Sequence, residues 1–170
     1  MFCLVVAPAC SRFDNKQSAT TSSTNVEAPQ GQSADGPPAD VVQATAAPLE
    51  LTTGRSTDAS VNVKIAPGYH INGNPASTYQ IATTLVIEAS AGITSGTPTY
   101  PKAISKKFSF SNEPIVVYEG EVVIRQPLIV DVSSPNGTRS LRAKLRVQPC
   151  DEKVCYPPRT LDVAIPATVR

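Results

Sequence analysis

The sequence has no tryptophan, one methionine and one histidine, and aromatic side chains make up only 5% of its 170 residues. Any core must therefore be aliphatic. The single imidazole, His70, excludes a histidine-rich metal site. Charge is scarce and nearly balanced, 17% of residues with a net +1, which removes a general electrostatic attraction to nucleic acid or to an anionic membrane. No glycine loop of phosphate-cradling type is present, and no stacked-aromatic platform for bases. The longest opening apolar stretch, Met1 to Ala9, is too short to span a bilayer. Glu119 and Glu121 share a strand face, but two carboxylates with no cleft or acid partner do not argue for glycoside chemistry. No repeat of 20–50 residues is visible.

Proline, by contrast, is abundant at sixteen residues, which opposes long helices and favours short strands and turns. Valine, isoleucine and threonine dominate the later segments, and branching at Cβ suits the pleated surface of a sheet. Val61, Val63 and Ile65 alternate with Asn62 and Lys64 before a Pro67-Gly68 turn. Short runs follow at Leu85–Ile87, Val116–Tyr118, Glu121–Ile124 and Leu128–Val132, with a kink expected at Gly120. Asn136-Gly137 is a hairpin-turn signal. Leu141, Ala143, Leu145 and Val147 then point one way, and Arg142, Lys144 and Arg146 the other, the basic row reading as a solvated strand face. Leu161, Val163 and Ile165 complete the last strand. The pattern predicts an all-β chain: an immunoglobulin-like antiparallel β-sandwich of seven to nine short strands over residues 46–170.

Residues 11–45 are rich in Ser, Thr, Gln, Ala, Gly and Pro, a composition that buries too little apolar area to offset the entropy of ordering, and read as a disordered tether. Ahead of it, residues 1–10 contain the stretch FCLVVAPAC, which resembles the end of a lipoprotein signal peptide. That reading discards Cys3, places lipid on Cys10, and puts the domain in the periplasm or cell envelope. Pro8 inside the stretch and the lack of a basic leader depart from the usual pattern.

Two cysteines then remain, in Gln148-Pro149-Cys150-Asp151-Glu152-Lys153-Val154-Cys155-Tyr156-Pro157-Pro158. Placed between two regular strands, they sit at the top of a hairpin where their sulfurs can come within bonding distance. A disulfide closing so short a loop constrains the unfolded chain only modestly, whereas a small, exposed ring exchanges readily with an attacking thiolate. Lys153 favours a thiolate there; Asp151 and Glu152 oppose it. The residues alone leave a structural staple and an exchange-active pair equally open. His70 reads as a packed or surface histidine after a turn, and two cysteines with one histidine far upstream fall short of the four ligands of a structural zinc site. No metal or other cofactor is expected.

Four segments in order, Pro67-Gly68-Tyr69-His70-Ile71-Asn72, Tyr100-Pro101, Val117-Tyr118-Glu119-Gly120 and Cys150 to Pro158, resemble the N-terminal periplasmic domain of the bacterial thiol:disulfide interchange protein DsbD. The cysteine loop with its trailing Tyr-Pro-Pro is the specific element. The resemblance implies an immunoglobulin-like sandwich whose cysteine pair receives electrons from a membrane-embedded carrier and passes them to thioredoxin-like partners. It makes Cys150 and Cys155 the redox pair, with Cys155 forming the mixed disulfide, and Tyr69, Tyr118, Tyr156 and Pro157 supporting residues. Tyr69 stands where family members usually carry Trp. The family shields its disulfide with an acidic–aromatic loop; the corresponding span, Ser111 to Tyr118, reads SNEPIVVY with no phenylalanine. A rival from another class is a non-catalytic immunoglobulin-like envelope module, binding or structural, whose disulfide only rigidifies a loop.

Overall fold

Alternating β-branched residues commit the later part of the chain to extended backbone, and a computed structural model describing residues 38–170 contains no α-helix among them. Residues 1–37, with the apolar stretch, Cys10 and most of the linker, lie outside the described residues. After one 3₁₀ turn (Ala39–Val41) come β1 (Val42–Ala46), β2 (Leu49–Leu51), β3 (Ser56–Ile65), β4 (His70–Asn72), β5 (Thr84–Ile87) and β6 (Ile93–Ser95). They are followed by β7 (Ile104–Lys106), β8 (Ile115–Tyr118), β9 (Glu121–Val130), β10 (Gly137–Val147), β11 (Pro149–Cys150) and β12 (Arg159–Val169). The first strand thus begins inside the stretch read from composition as linker.

Two four-stranded sheets, ordered β1-β3-β9-β6 and β2-β12-β10-β5, share one aliphatic core and make an immunoglobulin-like sandwich. Period-two burial decides which residues face inward. Ala59, Val61, Val63 and Ile65 of β3 meet Leu141, Ala143, Leu145 and Val147 of β10 and Val163, Ile165, Ala167 and Val169 of β12 in that core. Arg142, Lys144 and Arg146 are exposed on the other face of β10, where Lys144 pairs with Glu88 and Asp162.

The antiparallel sandwich is as expected, with one parallel addition, β2 along the end of β12 (Ala167↔Leu49 to Val169↔Leu51). Three details differ. Twelve strands form among the described residues, not seven to nine, because a third sheet, β11-β4-β8-β7, is built from pieces of two to four residues each. The two runs Glu121–Ile124 and Leu128–Val132 are one strand, β9, which continues through Pro127 and ends at Val130. Asn136-Gly137 does not close a hairpin: β9 pairs with β3 and β6, β10 with β12 and β5, so the turn arches between sheets. Gly137 has a positive φ, as its turn signal demands, but a local signal of that kind does not choose the strand's partner. Gly120, also at positive φ, is where the chain passes from β8 of the third sheet into β9 of the first.

A buried amide bridges the two main sheets. Gln126 of β9 is 3% exposed; its Oε1 accepts from the Ile87 N–H at 3.2 Å and its Nε2 donates to the Gly96 carbonyl at 2.9 Å. The amide thereby joins the edges of both sheets. Gln126→Leu, similar in volume, leaves both backbone groups without a partner and is expected to lower unfolding free energy by about 1–3 kcal/mol per buried group. Urea denaturation measures this; an unchanged midpoint would show that the amide contributes nothing net.

Candidate functional site

The β10–β12 hairpin is paired along its length up to Val147↔Arg159, and the residues between these two leave the sandwich. Pro149 and Cys150 cross into the third sheet as β11, where Cys150 lies opposite His70 and Pro149 opposite Ile71 of β4. A smaller hairpin forms at the tip. Tyr156 N–H donates to the Pro149 carbonyl and Asp151 N–H to the Val154 carbonyl, both at 2.9 Å, which makes Cys150 and Cys155 cross-strand partners. Their Cα atoms are 4.0 Å apart and the sulfurs are bonded at 2.04 Å.

Asp151 shapes the loop between them. Its Oδ1 accepts the N–H groups of Lys153 (2.7 Å) and Val154 (2.9 Å), and its Oδ2 accepts the Tyr156 hydroxyl at 2.7 Å. The tyrosine hydroxyl, followed by the two backbone donors, holds this carboxyl below its usual range. Sequence reasoning set Asp151 against thiolate formation by charge; its three hydrogen bonds also give it a structural task. Below the loop, Asn72 Nδ2 donates to Gln148 Oε1 and to the Ile81 carbonyl, each at 3.0 Å, and Gln148 Nε2 donates to the Tyr156 carbonyl at 3.1 Å. These amides fasten the cysteine hairpin to β4.

The third sheet has two faces. Ile71 and Tyr118, adjacent across β4 and β8, join the main core. Tyr118 is 1% exposed; its hydroxyl donates toward the Asn74 and Pro101 carbonyls and accepts the Asn74 N–H at 3.1 Å, and burial raises its pKa. It therefore anchors loops on the face away from the disulfide. Tyr69 and Tyr156 stand beside the hairpin with ring centroids 6.5 Å apart, and Pro157 is exposed where the chain leaves it.

The opposite face carries His70 and Cys150. His70 is 1% exposed, a ring nitrogen of it lies within 4.8 Å of both sulfurs, and its buried Nε2 has no hydrogen-bond partner among the described residues. This corrects the separation that the sequence suggests: the histidine far upstream is the cross-strand neighbour of Cys150. Burial holds its pKa below the usual 6.5, outweighing nearby Glu119, with Lys106 acting in the same direction as burial.

Above His70 lies the loop between β7 and β8. Phe108, 2% exposed, stacks on the imidazole at 4.2 Å between centroids, and half-open Phe110 stacks next at 5.3 Å from Phe108. Phe108 also packs with Ile115 and Val117 in a small second core. Lys106 binds Glu119 at 2.7 Å and Glu152 at 3.0 Å, and the Ser109 hydroxyl donates to the Glu152 carbonyl at 3.1 Å. The aromatic cover is thus tied to the cysteine loop itself. It arises from Lys106 to Phe110, ahead of the Ser111–Tyr118 span that corresponds to the family's shielding loop. A buried Phe in a stretch reading KKFSF carries no local signal of what lies beneath it. The disulfide is not an exposed ring: Cys150 is fully buried and only Cys155 is partly open.

A family model described as "Thiol:disulfide interchange protein DsbD, N-terminal" matches residues 37–167. Among solved structures, the DsbD N-terminal domain of Neisseria meningitidis in its reduced form is 20% identical, over 68% of this chain and 82% of its own, with a TM-score of 0.46. The N-terminal periplasmic domain of ScsB from Proteus mirabilis is 19% identical over 73% of this chain, which spans 44% of that one, with a TM-score of 0.47. A type I cohesin from Pseudobacteroides cellulosolvens, 9% identical over 76% of this chain and 92% of its own, reaches 0.43. At such scores the likenesses carry no functional argument. No curated protein sequence matches the chain.

Two outcomes test this geometry. Because the His70 pKa is depressed on folding, the unfolded chain takes up the proton first as pH falls below about 6.5. Stability conferred by the neutral ring is therefore whole above that pH and is lost on acidification through the folded-state value. His70→Phe is expected to flatten this part of the pH profile of the urea midpoint. Phe108→Ala, which removes the ring over His70, is expected to speed reduction of the disulfide by a small dithiol about tenfold, an activation change of about 1.4 kcal/mol. An unchanged rate in stopped-flow measurements would mean that Phe108 does not limit access.

Proposed function

The chain belongs to the family of DsbD N-terminal domains, and on that premise we propose that it is a periplasmic thiol:disulfide exchange domain working through Cys150 and Cys155 with thioredoxin-like partners. The observation that carries this reading is the unequal access of two bonded sulfurs, Cys150 buried and Cys155 partly open. A partner thiolate reaches Cys155 Sγ and forms a new S–S bond as the Cys150–Cys155 bond breaks, and Cys150 departs with the electron pair as a thiolate. A second thiolate of the donor then attacks the partner sulfur of the mixed disulfide, leaving the domain reduced and the donor oxidised. In the reduced domain the roles reverse. Cys155 attacks a client disulfide, and Cys150 resolves the adduct.

The surroundings support that assignment of roles. Departure of Cys150 as an anion is disfavoured in an apolar pocket unless a donor faces it, and the His70 ring, whose nitrogen lies within 4.8 Å of both sulfurs, is placed to solvate it. Lys106 adds positive charge on the same side, although two carboxylates engage it. Gln148, Asn72 and Asp151 hold the loop in position while the bond is broken, so the two sulfurs stay available to one another. In this reading Cys10 carries lipid, and the residues between it and β1 form a tether that holds the domain near a membrane-bound electron carrier.

The test uses chains in which Cys3 and Cys10 are replaced by serine. With Cys150→Ser added, Cys155 has no resolving partner and is expected to accumulate a covalent adduct with an oxidised thioredoxin-like protein, seen on non-reducing gels. With Cys155→Ser added instead, the buried Cys150 is expected to give little or none. Absence of adducts from both variants would leave the disulfide as a structural staple and sink the exchange reading.

A further inference from the structure

We propose that, once its disulfide is reduced, this site binds a single Cu(I) ion through Cys150, Cys155 and His70. The inference goes beyond exchange activity and needs no protein partner. Its first support is proximity: the two sulfurs and an imidazole nitrogen all lie within 4.8 Å of one another, although the histidine comes from a different strand. Its second is an independent oddity of the fold. His70 is 1% exposed, yet its Nε2 has no hydrogen-bond partner among the described residues, and a buried polar atom left so calls for an explanation.

Reduction supplies the missing ligands. A phosphine supplies two electrons and leaves as its oxide, with water giving the oxygen and both thiol protons, so that the disulfide becomes two thiols. Metal–ligand bonds of about 2.0–2.3 Å imply donors spaced by about 3.5–4 Å, so the sulfurs, 2.04 Å apart when bonded, have only to separate to nonbonded contact. Binding Cu(I) then displaces both thiol protons to solvent. The metal remains monovalent, the imidazole coordinates as a neutral donor, and the site carries one net negative charge.

Ligand type and number favour this ion. Thiolates select soft metals such as Cu(I) and zinc, but a structural zinc site takes four ligands. Among the described residues no carboxylate joins the cluster. Asp151 is occupied by Tyr156, Lys153 and Val154, and Glu119 and Glu152 by Lys106. Phe108, stacked on the imidazole, presents an apolar surface on that side in place of a fourth donor. A monovalent d10 ion of low coordination number is satisfied by the three donors present.

The experiment uses the full chain with Cys3 and Cys10 replaced by serine, reduced anaerobically with a phosphine and titrated with Cu(I) in acetonitrile against bicinchoninate. The expected result is withdrawal of one Cu(I) per chain by reduced protein and none by oxidised protein. X-ray absorption should show two sulfur neighbours and one nitrogen. His70→Phe keeps a flat ring against Phe108 and is expected to weaken Cu(I) binding by about tenfold or more, since even outer partners of a metal site contribute 10–100-fold. The nitrogen shell should vanish with it. His70→Gln serves the same purpose if circular dichroism shows the first variant misfolded. No withdrawal by the reduced protein, affinity and spectrum unaffected by loss of His70, or preferential binding of Zn(II) would each overturn the assignment. None of these readouts involves thiol exchange, so failure here and failure of the exchange reading are separate events.

Discussion

The cross-strand pairing of Cys150 with His70 is the constraint on which the site depends. It exists because the chain leaves β10 after Val147 and adds two residues, Pro149 and Cys150, to the edge of a different sheet. Without that excursion the hairpin would run on into solvent. Its sulfurs would then face neither an imidazole nor an aromatic cover. Gln148 reinforces the crossing by taking a hydrogen bond from Asn72 and giving one to the Tyr156 carbonyl.

Two kinds of force close the site over, and their sizes differ. The Lys106 pairs with Glu119 and Glu152 involve side chains one-third or more exposed, and such pairs contribute about 0–1 kcal/mol each. Burial of the Phe108 ring contributes about 1.5–3 kcal/mol, so apolar contact dominates and the ion pairs chiefly set where the loop sits. The sum is small beside the stability of a whole domain, about 5–15 kcal/mol. The cover packs in a small cluster of its own, separate from the core formed by the long strands of the sandwich.

The sandwich was largely legible in the residues. Strict alternation in Val61–Ile65 and Leu141–Val147 placed β3 and β10 and their inward faces, because burial of one strand face has a period that no turn or loop imitates. The third sheet was not legible. Its strands are two to four residues long, too short for alternation to register, and they are held together by partners distant in sequence. The same limit hides the arch at Asn136-Gly137, where a local turn signal is sound but the strands it joins lie in different sheets.

At the site the cysteine loop and its Tyr-Pro-Pro exit stood out, and family resemblance pointed to the two sulfurs. Spacing along the chain determined that Cys150 and Cys155 were able to meet, since neighbours five residues apart have few other fates in a tight turn. Only the tertiary structure decided how unequal they are, one buried and one partly open, and which groups surround them. His70 reaches the disulfide from β4, and Phe108 stacks on His70 from the β7–β8 loop. Contacts between remote segments depend on how sheets pack, and a linear pattern of residue types does not encode that packing locally.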